Sequence, residues 1–364
     1  MRVLQFVSTL NRNSGVMRVL MNYYYKIDRD KVQFDFLYFV KSDDSYQNEI
    51  IALGGNVYFV SKPSISFHSL KELYHFFQQH GREYIWLHNH ESYLTVLLYP
   101  LAKHFGISDV IVHAHLTKYS DKLLSAIRNA ILCAPLKILP VKKMACSQAA
   151  ADFLYGKKQP VYILRNLVDC QQYVYDAERR KKLRCALGLQ DSFVVGHVGR
   201  FQKQKNHRFL IELFAVFYPE HPDSRLLLVG DGPLKSEIQN MVQEKQLESV
   251  VFFVGAQKDI VSYLSAMDVF LLPSLFEGLP MVALEAQANG LECILADTIT
   301  EEVALSEKVQ FCSLKDKKGW LETLNDIKTM GYCNRVLSME EQQMLNLMES
   351  AKSLVQYYET ECMK

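Results

Sequence analysis

An α/β protein of two Rossmann-like domains, each built on a parallel sheet, is the fold this sequence predicts. Strand-like apolar runs alternate with amphipathic helical runs along the chain, as crossover-connected parallel strands require. The alternation runs through twice, with a polar, highly charged stretch at 165–192 between the passes. The 364 residues suffice for two domains of ordinary size with substantial cores.

In the first pass, strands are expected near 2–7, 34–39, 56–60, 84–87, 109–113, 143–146 and 161–163. Helices are expected near 16–26, 69–79, 92–105, 120–133 and 147–155. The opening run Met1 to Val7 resembles the start of a signal peptide, but it is short and Asn11, Arg12 and Asn13 interrupt it, so it reads as the first strand. The second pass places strands near 193–198, 225–229, 250–254, 268–272, 293–296 and 309–311, with helices between them. One helix, 233–246, opens at Gly232-Pro233, where proline suits the first turn. The basic run Arg179-Arg-Lys-Lys182 reads as a solvated helix face in the connection. Residues 338–358 read as one long helix.

Composition narrows the function classes. Hydrophobic residues make up 49% and charged residues 22%, as in globular proteins, and the net charge of +1 gives no global field toward nucleic acid. No apolar run approaches the roughly 18 residues of a membrane span. The 8 cysteines are scattered without a Cys-x-x-Cys, which predicts reduced thiols in a cytoplasmic protein.

The most informative segment is Pro273-Ser-Leu-Phe-Glu277-Gly-Leu-Pro-Met-Val-Ala-Leu-Glu285-Ala. Glu277 follows an apolar strand and Glu285 lies in the next helical run, at the carboxyl edge of a parallel sheet, where α/β folds bind ligands. A carboxylate there can accept hydrogen bonds from paired hydroxyls, as sugars and ribose present them. The plain alternative is a solvated helix start favoured by the dipole. About 75 residues earlier, the strand Phe193–Val198 runs into Gly199-Arg200-Phe-Gln-Lys-Gln-Lys205-Asn206 and a helix from about His207 to Phe217. Arg200 suits bidentate phosphate binding, Lys205 adds a point charge, and the helix N-terminus favours anions. Alone, each is equally an ordinary surface loop. Together they would grip the phosphates and the hydroxyls of a nucleotide sugar.

These residues carry a resemblance. Gly199-Arg200…Lys205-Asn206 with Glu277…Glu285 resembles the signature of retaining GT-B glycosyltransferases of family 4. Glu277 to Gly290 is similar to the bacterial capsular and exopolysaccharide branch. Leu10 to Leu20, Val112-His-Ala-His115 and Ala145 to Ala150 are similar to its first domain. The resemblance implies two domains facing across a cleft: an acceptor-side domain 1–165, a connection 166–192, a donor-binding domain 193–337, and a tail 338–364 that crosses back to the first domain. It implies that Arg200 and Lys205 neutralise the donor diphosphate and that Glu285 accepts the ribose hydroxyls. Glu277 then meets the transferred sugar beside the backbone of Gly278 and Leu279, and Gly15 lets backbone amides approach phosphate. Relatives carry two adjacent glycines where this chain has Ser14-Gly15. Gly230 to Pro233 would lie near the nucleotide, or form a plain turn, and Phe253 to Asp259 would flank the base. His115 aligns with a histidine over the donor sugar, with His113 as the fallback.

Metal is not expected. His88, His90, His113 and His115 come in pairs two apart, sharing a strand face, yet no fixed carboxylate or cysteine accompanies them. Asp28-Arg-Asp30 matches a metal-binding Asp-x-Asp by letters but sits in a charged turn. No Gly-x-Gly-x-x-Gly follows a strand, against a dinucleotide oxidoreductase. The function expected is hexose transfer from a nucleotide sugar, in the first instance a UDP-sugar, without cofactor. The acceptor expected is a polyprenyl-linked or other glycan in bacterial surface-polysaccharide assembly. The alternatives are a non-catalytic sugar-nucleotide-binding subunit and a UDP-sugar epimerase of the same fold. Residues 118–143 carry Lys118, Lys122, Arg128, Lys137, Lys142 and Lys143, one acid (Asp121), and an apolar stripe of Leu123, Leu124, Ile127, Ile131 and Leu132. That pattern suits peripheral contact with an anionic membrane, or a helix packed on the core.

Overall fold

The computed structural model describes residues 1–64, 67–120, 122–331 and 334–361. The chain divides into two compact units. One holds Met1–Leu167 together with the residues from Leu347 onward, and the other holds Val168–Asn346.

The first unit carries a seven-stranded parallel sheet. Its strands are β1 (Arg2–Thr9), β2 (Gln33–Val40), β3 (Val57–Phe59), β4 (Trp86–Asn89), β5 (Asp109–Ala114), β6 (Lys142–Ala145) and β7 (Tyr162–Ile163), in the order β3-β2-β1-β4-β5-β6-β7. The second unit carries a six-stranded parallel sheet. Its strands are β8 (Phe193–Val198), β9 (Ser224–Val229), β10 (Val251–Gly255), β11 (Val269–Leu272), β12 (Glu292–Ala296) and β13 (Val309–Cys312), in the order β10-β9-β8-β11-β12-β13. Each order reverses once, between β1 and β4 and between β8 and β11. A crevice opens at such a reversal because the flanking crossovers leave in opposite directions. Loops after these four strands are therefore the ones placed to hold ligands.

Continuous apolar strands bury both faces of each sheet, as parallel sheets demand. Val3, Leu4 and Phe6 of β1 are fully buried, as are Leu226, Leu227 and Leu228 of β9. The second core joins Phe209, Leu213, Phe214 and Phe217 from the helix His207–Phe217 to Trp320 and Ile238. In the first, Tyr24 stacks on Phe34, and Trp86 lies against Tyr358.

Four expectations change. The tail is not one helix: Met339–Met344, capped by Ser338 and Glu341, ends before a second helix, Leu347–Glu361. The chain passes from one unit to the other at that break, which helical periodicity does not mark. Only the second helix belongs to the first unit, where Ala351, Leu354, Val355 and Tyr358 are buried and Ser350 meets the Tyr23 hydroxyl at 2.7 Å.

The stretch from Val168 is part of the second unit rather than a free connection. Its helix Ala177–Leu187 is not wholly solvated: Arg180 pairs with Asp268, at the foot of β11, and so does the buried Arg184. Arg184 also donates to the carbonyl of Ala266 at 2.9 Å. The helix expected from Pro233 begins at Lys235, which leaves Pro233 in the preceding turn. Among the described residues no helix is long and apolar enough to cross a membrane.

Candidate functional site

In the second unit the loops after β8 and β11, which flank the reversal, are tied together. Leu275 N–H donates to the Gln204 carbonyl at 2.8 Å, and Gln204 Nε2 donates to the Phe276 carbonyl at 2.9 Å. The same amide reaches Glu277 Oε2 at 3.1 Å. Lys205 Nζ lies 2.7 Å from Glu277 Oε1, in a pair whose side chains are 15% and 8% exposed. Lys205 is thus not a free cation: its charge is matched by Glu277. Desolvating either ion costs several kcal/mol, so the pair holds only with close geometry and added hydrogen bonds, which Gln204 supplies.

Local backbone chemistry sets this geometry. Asn206 takes φ +54 and caps the helix His207–Phe217. Asparagine is the non-glycine residue most at ease there, which gives Lys205-Asn206 a physical reason. Gly230 allows the neighbouring loop to approach: a Cβ on it would meet the Gly199 carbonyl oxygen at 2.1 Å.

Arg200 differs from Lys205. Its side chain is exposed, and among the described residues it has no ion-pair or hydrogen-bond partner. Gly278 and Leu279 are buried beside Glu277. The helix Met281–Ala288 that follows is buried at every position, and Glu285 within it is fully inaccessible. A solvated helix start is excluded. A carboxylate so placed is kept only with polar partners. Gln287 and Asn289 have structural duties: Gln287 bonds to the Ala283 and Val303 carbonyls, and Asn289 to the Tyr173 carbonyl and to Arg335.

In the first unit, Gly15 opens the helix Gly15–Lys26 after β1. Ser14 is that helix's N-cap, accepting from the Met17 N–H at 3.4 Å, which gives the serine in Ser14-Gly15 a structural duty. A Cβ on Gly15 would meet nothing within 4 Å, so no contact within the chain demands glycine there.

The four histidines form one stacked cluster at the ends of β4 and β5. His115 Nε2 lies 2.8 Å from His90 Nδ1, and His90 Nε2 lies 2.8 Å from Gln5 Oε1. His88 Nε2 lies 3.2 Å from His113 Nδ1, and His88 Nδ1 lies 2.6 Å from the Tyr358 hydroxyl. Burial pushes His88, His90 and His113 well below the usual histidine range and His115 down to about 4. His88, His90 and His113 offer nitrogens within 4.8 Å of one another, close enough for a metal, but nearly all of those nitrogens are already hydrogen-bonded within the network. Asp28 and Asp30 are exposed in a turn.

Sequence reasoning missed Gln204, Gln5, Tyr358 and the buried His197 and His207. His197 Nδ1 lies 2.8 Å from the Leu271 carbonyl, and His207 stacks on Phe201. A glutamine in mid-strand at position 5 was the one visible signal, since a buried amide needs partners.

The helix Leu123–Cys133 buries only Asn129 and Cys133 fully. Leu123 is 76% exposed, Leu124 83%, Ile127 51% and Ile131 67%. Packing on the core is therefore overturned for these four, while Leu132 is half-buried. Lys118, Lys122, Arg128 and Lys137 are exposed beside it, whereas Lys142 pairs with Glu361 and Lys143 with Gln159. Asp121 lies outside the described residues.

Residues 179–339 match the family model described as Glycosyl transferases group 1. The putative glycosyltransferase EpsF of Bacillus subtilis is 33% identical over 83% of this chain and 80% of its own length. The UDP-Gal:alpha-D-GlcNAc-diphosphoundecaprenol alpha-1,3-galactosyltransferase of Escherichia coli is 32% identical over 54% of this chain and 49% of its own. Among solved structures, Anabaena HepE in complex with UDP and glucose superposes with a TM-score of 0.80 at 17% identity, over 99% of each chain. That likeness extends the GT-B fold to the whole chain.

Proposed function

This chain belongs to the glycosyl transferases group 1 family, and from that membership we propose that it moves a hexose from a UDP-sugar to a lipid-linked or other glycan acceptor, with retention at the anomeric carbon, in bacterial surface-polysaccharide assembly. The observation that carries this reading is the pairing of the two motif loops at the reversal between β8 and β11. That is where an α/β sheet receives a nucleotide.

Arg200, exposed and unpaired among the described residues, neutralises the donor diphosphate and stabilises charge as it develops on the leaving phosphate. Lys205, its charge matched by Glu277, holds that carboxylate in place, and Glu277 meets the transferred sugar beside Gly278 and Leu279. Glu285 accepts the ribose hydroxyls. Gly15, beside which the chain leaves open space, lets backbone amides reach phosphate. His115 contacts the sugar as a neutral imidazole. Arg200 and the helix N-terminus at His207 supply the positive charge that a bound metal would otherwise bring. The UDP and glucose held by HepE, and the diphosphoundecaprenol acceptor in the Escherichia coli relative's name, support the donor and acceptor classes. The exposed apolar stripe with its four flanking cations supports peripheral attachment to an anionic leaflet.

The test is a panel of nucleotide sugars screened by thermal shift, then assayed for UDP release with and without a polyprenyl-diphosphate-linked acceptor in excess EDTA. We expect a UDP-sugar to raise the melting temperature, and acceptor-dependent UDP release to persist under chelation. Binding without release points to a non-catalytic subunit. An epimerised sugar without transfer points to an epimerase. Release restored only by a divalent cation overturns the metal-free reading.

A further inference from the structure

Gln5 lies fully buried in the middle of β1, between His90, just past β4, and Tyr358 of the last helix. Its amide has two unlike ends: the oxygen only accepts and the nitrogen only donates. Each neutral imidazole carries one N–H and one bare nitrogen. A row of such groups can therefore be ordered in only two directions, and the amide chooses between them.

The order follows from Gln5 outward. Its oxygen faces His90 Nε2 at 2.8 Å, so that nitrogen carries the proton. His90 Nδ1 is then bare and accepts from His115 Nε2. That leaves His115 Nδ1 bare, with no partner among the described residues. On the other arm, the Gln5 nitrogen points to the Tyr358 oxygen at 3.4 Å, so the phenol proton goes to His88 Nδ1. His88 Nε2 then donates to His113 Nδ1. The row ends at His113 Nε2, which has no partner among the described residues, so nothing at that end sets the direction. All four histidines come out as the same tautomer, protonated on Nε2. Reversing the amide would place all four protons on Nδ1.

We infer that Gln5 is a positioning residue which, through His90, holds His115 as its Nε2–H tautomer, so that His115 offers a bare Nδ1 to a hydroxyl of the transferred sugar. The inference rests on the reading of His115 as a sugar contact. It adds that His115 accepts a hydrogen bond and does not donate one. A substrate hydroxyl oriented as donor fits this nitrogen, and a carbonyl does not.

The experiment is nitrogen NMR of the full chain labelled at histidine, at neutral pH, which separates protonated from bare ring nitrogens. The wild type should show His88, His90, His113 and His115 each with a protonated Nε2 and a bare Nδ1. Tyr358→Phe should disturb the His88 and His113 signals and leave His90 and His115 as they were. Gln5→Leu should turn His90 and His115 into averaged tautomers. It should also slow turnover of the best UDP-sugar in the donor panel roughly tenfold, the worth of one hydrogen bond in the transition state, with KM unchanged. An Nδ1–H or averaged His115 in the wild type overturns the inference, as does an unaltered His115 in Gln5→Leu. If Gln5→Leu does not fold, the wild-type and Tyr358→Phe spectra still decide. His115→Ala separates the two readings: unchanged turnover refutes His115 as a sugar contact, whereas the spectra report on Gln5 regardless.

Discussion

The reversal points of the two sheets are built from opposite chemistry. At the first sheet's reversal between β1 and β4, and reaching on to β5, the first unit packs four imidazoles, three of them buried, that share hydrogen bonds and carry no charge. Beside β8 and β11 the second unit buries a charged pair, Lys205 with Glu277, and leaves Arg200 in the open. The difference shows two ways to keep titratable groups out of water. One is to suppress the charge, which needs only donors and acceptors in sequence along a row. The other is to pair it, which needs two partners from distant strands brought to contact.

The strongest way to break the comparison is acid. The four clustered histidines of the first unit, His88, His90, His113 and His115, are held below their unfolded pKa of about 6.5 by burial. Below that value the unfolded chain binds protons that the folded chain refuses. Their contribution is thus present in full above pH about 6.5 and is lost as pH falls toward the folded values, about 4 for His115. Each costs about 1.4 kcal/mol per pH unit in that window. The second unit has the same liability at His197 and His207, lowered to about 3 and about 2. Trp86 reports on the first unit and Trp320 on the second, so single-tryptophan variants followed by fluorescence should show the first unit losing stability more steeply. Equal slopes would mean the cluster is not neutral.

Lys205→Ala should destabilise the second unit by about 3–5 kcal/mol in urea melts, because it strands the buried Glu277 carboxylate. Adding Glu277→Gln should recover part of that loss. If Lys205→Ala alone is neutral, the pair is solvated and the contrast between the units fails. Arg200→Ala sharpens the point. It should leave stability unchanged, since the side chain is exposed and unpartnered, yet raise the barrier to transfer by about 2.7–4 kcal/mol. Near-normal turnover would remove Arg200 from the diphosphate role.

Smaller effects follow. Glu285→Gln should weaken UDP binding by about 1.5–3 kcal/mol in calorimetry, and unchanged affinity would rule out the ribose role. On the surface of the first unit, the proposed membrane face should draw on the order of 1 kcal/mol from each of Lys118, Lys122, Arg128 and Lys137 against an anionic bilayer, an attraction that fades in high salt. Changing all four to Glu should abolish co-sedimentation with anionic vesicles. Equal partition of both proteins, or none by the wild type, would end that proposal.

The sequence by itself determined the two alternating α/β passes, the thirteen strand positions to within a few residues, and the two charged loops that follow β8 and β11. Local chemistry decides those: apolar runs make buried parallel strands, and the residue types at Arg200, Lys205, Glu277 and Glu285 show their chemistry wherever they stand. Only the tertiary structure decided which of them are charged alone and which together. Lys205 meets Glu277 because β8 and β11 are neighbours in space, though 72 positions separate the two residues in the chain. The same holds for Gln5 and Tyr358, 353 positions apart, whose hydroxyl and amide order the histidines. It holds again for the stripe at 123–131: periodicity shows that Leu123, Leu124, Ile127 and Ile131 share a face, but what covers that face is a property of neighbours. Spacing along a chain fixes direction within one element. Pairing, burial and protonation depend on the element packed opposite, which sequence periodicity does not encode.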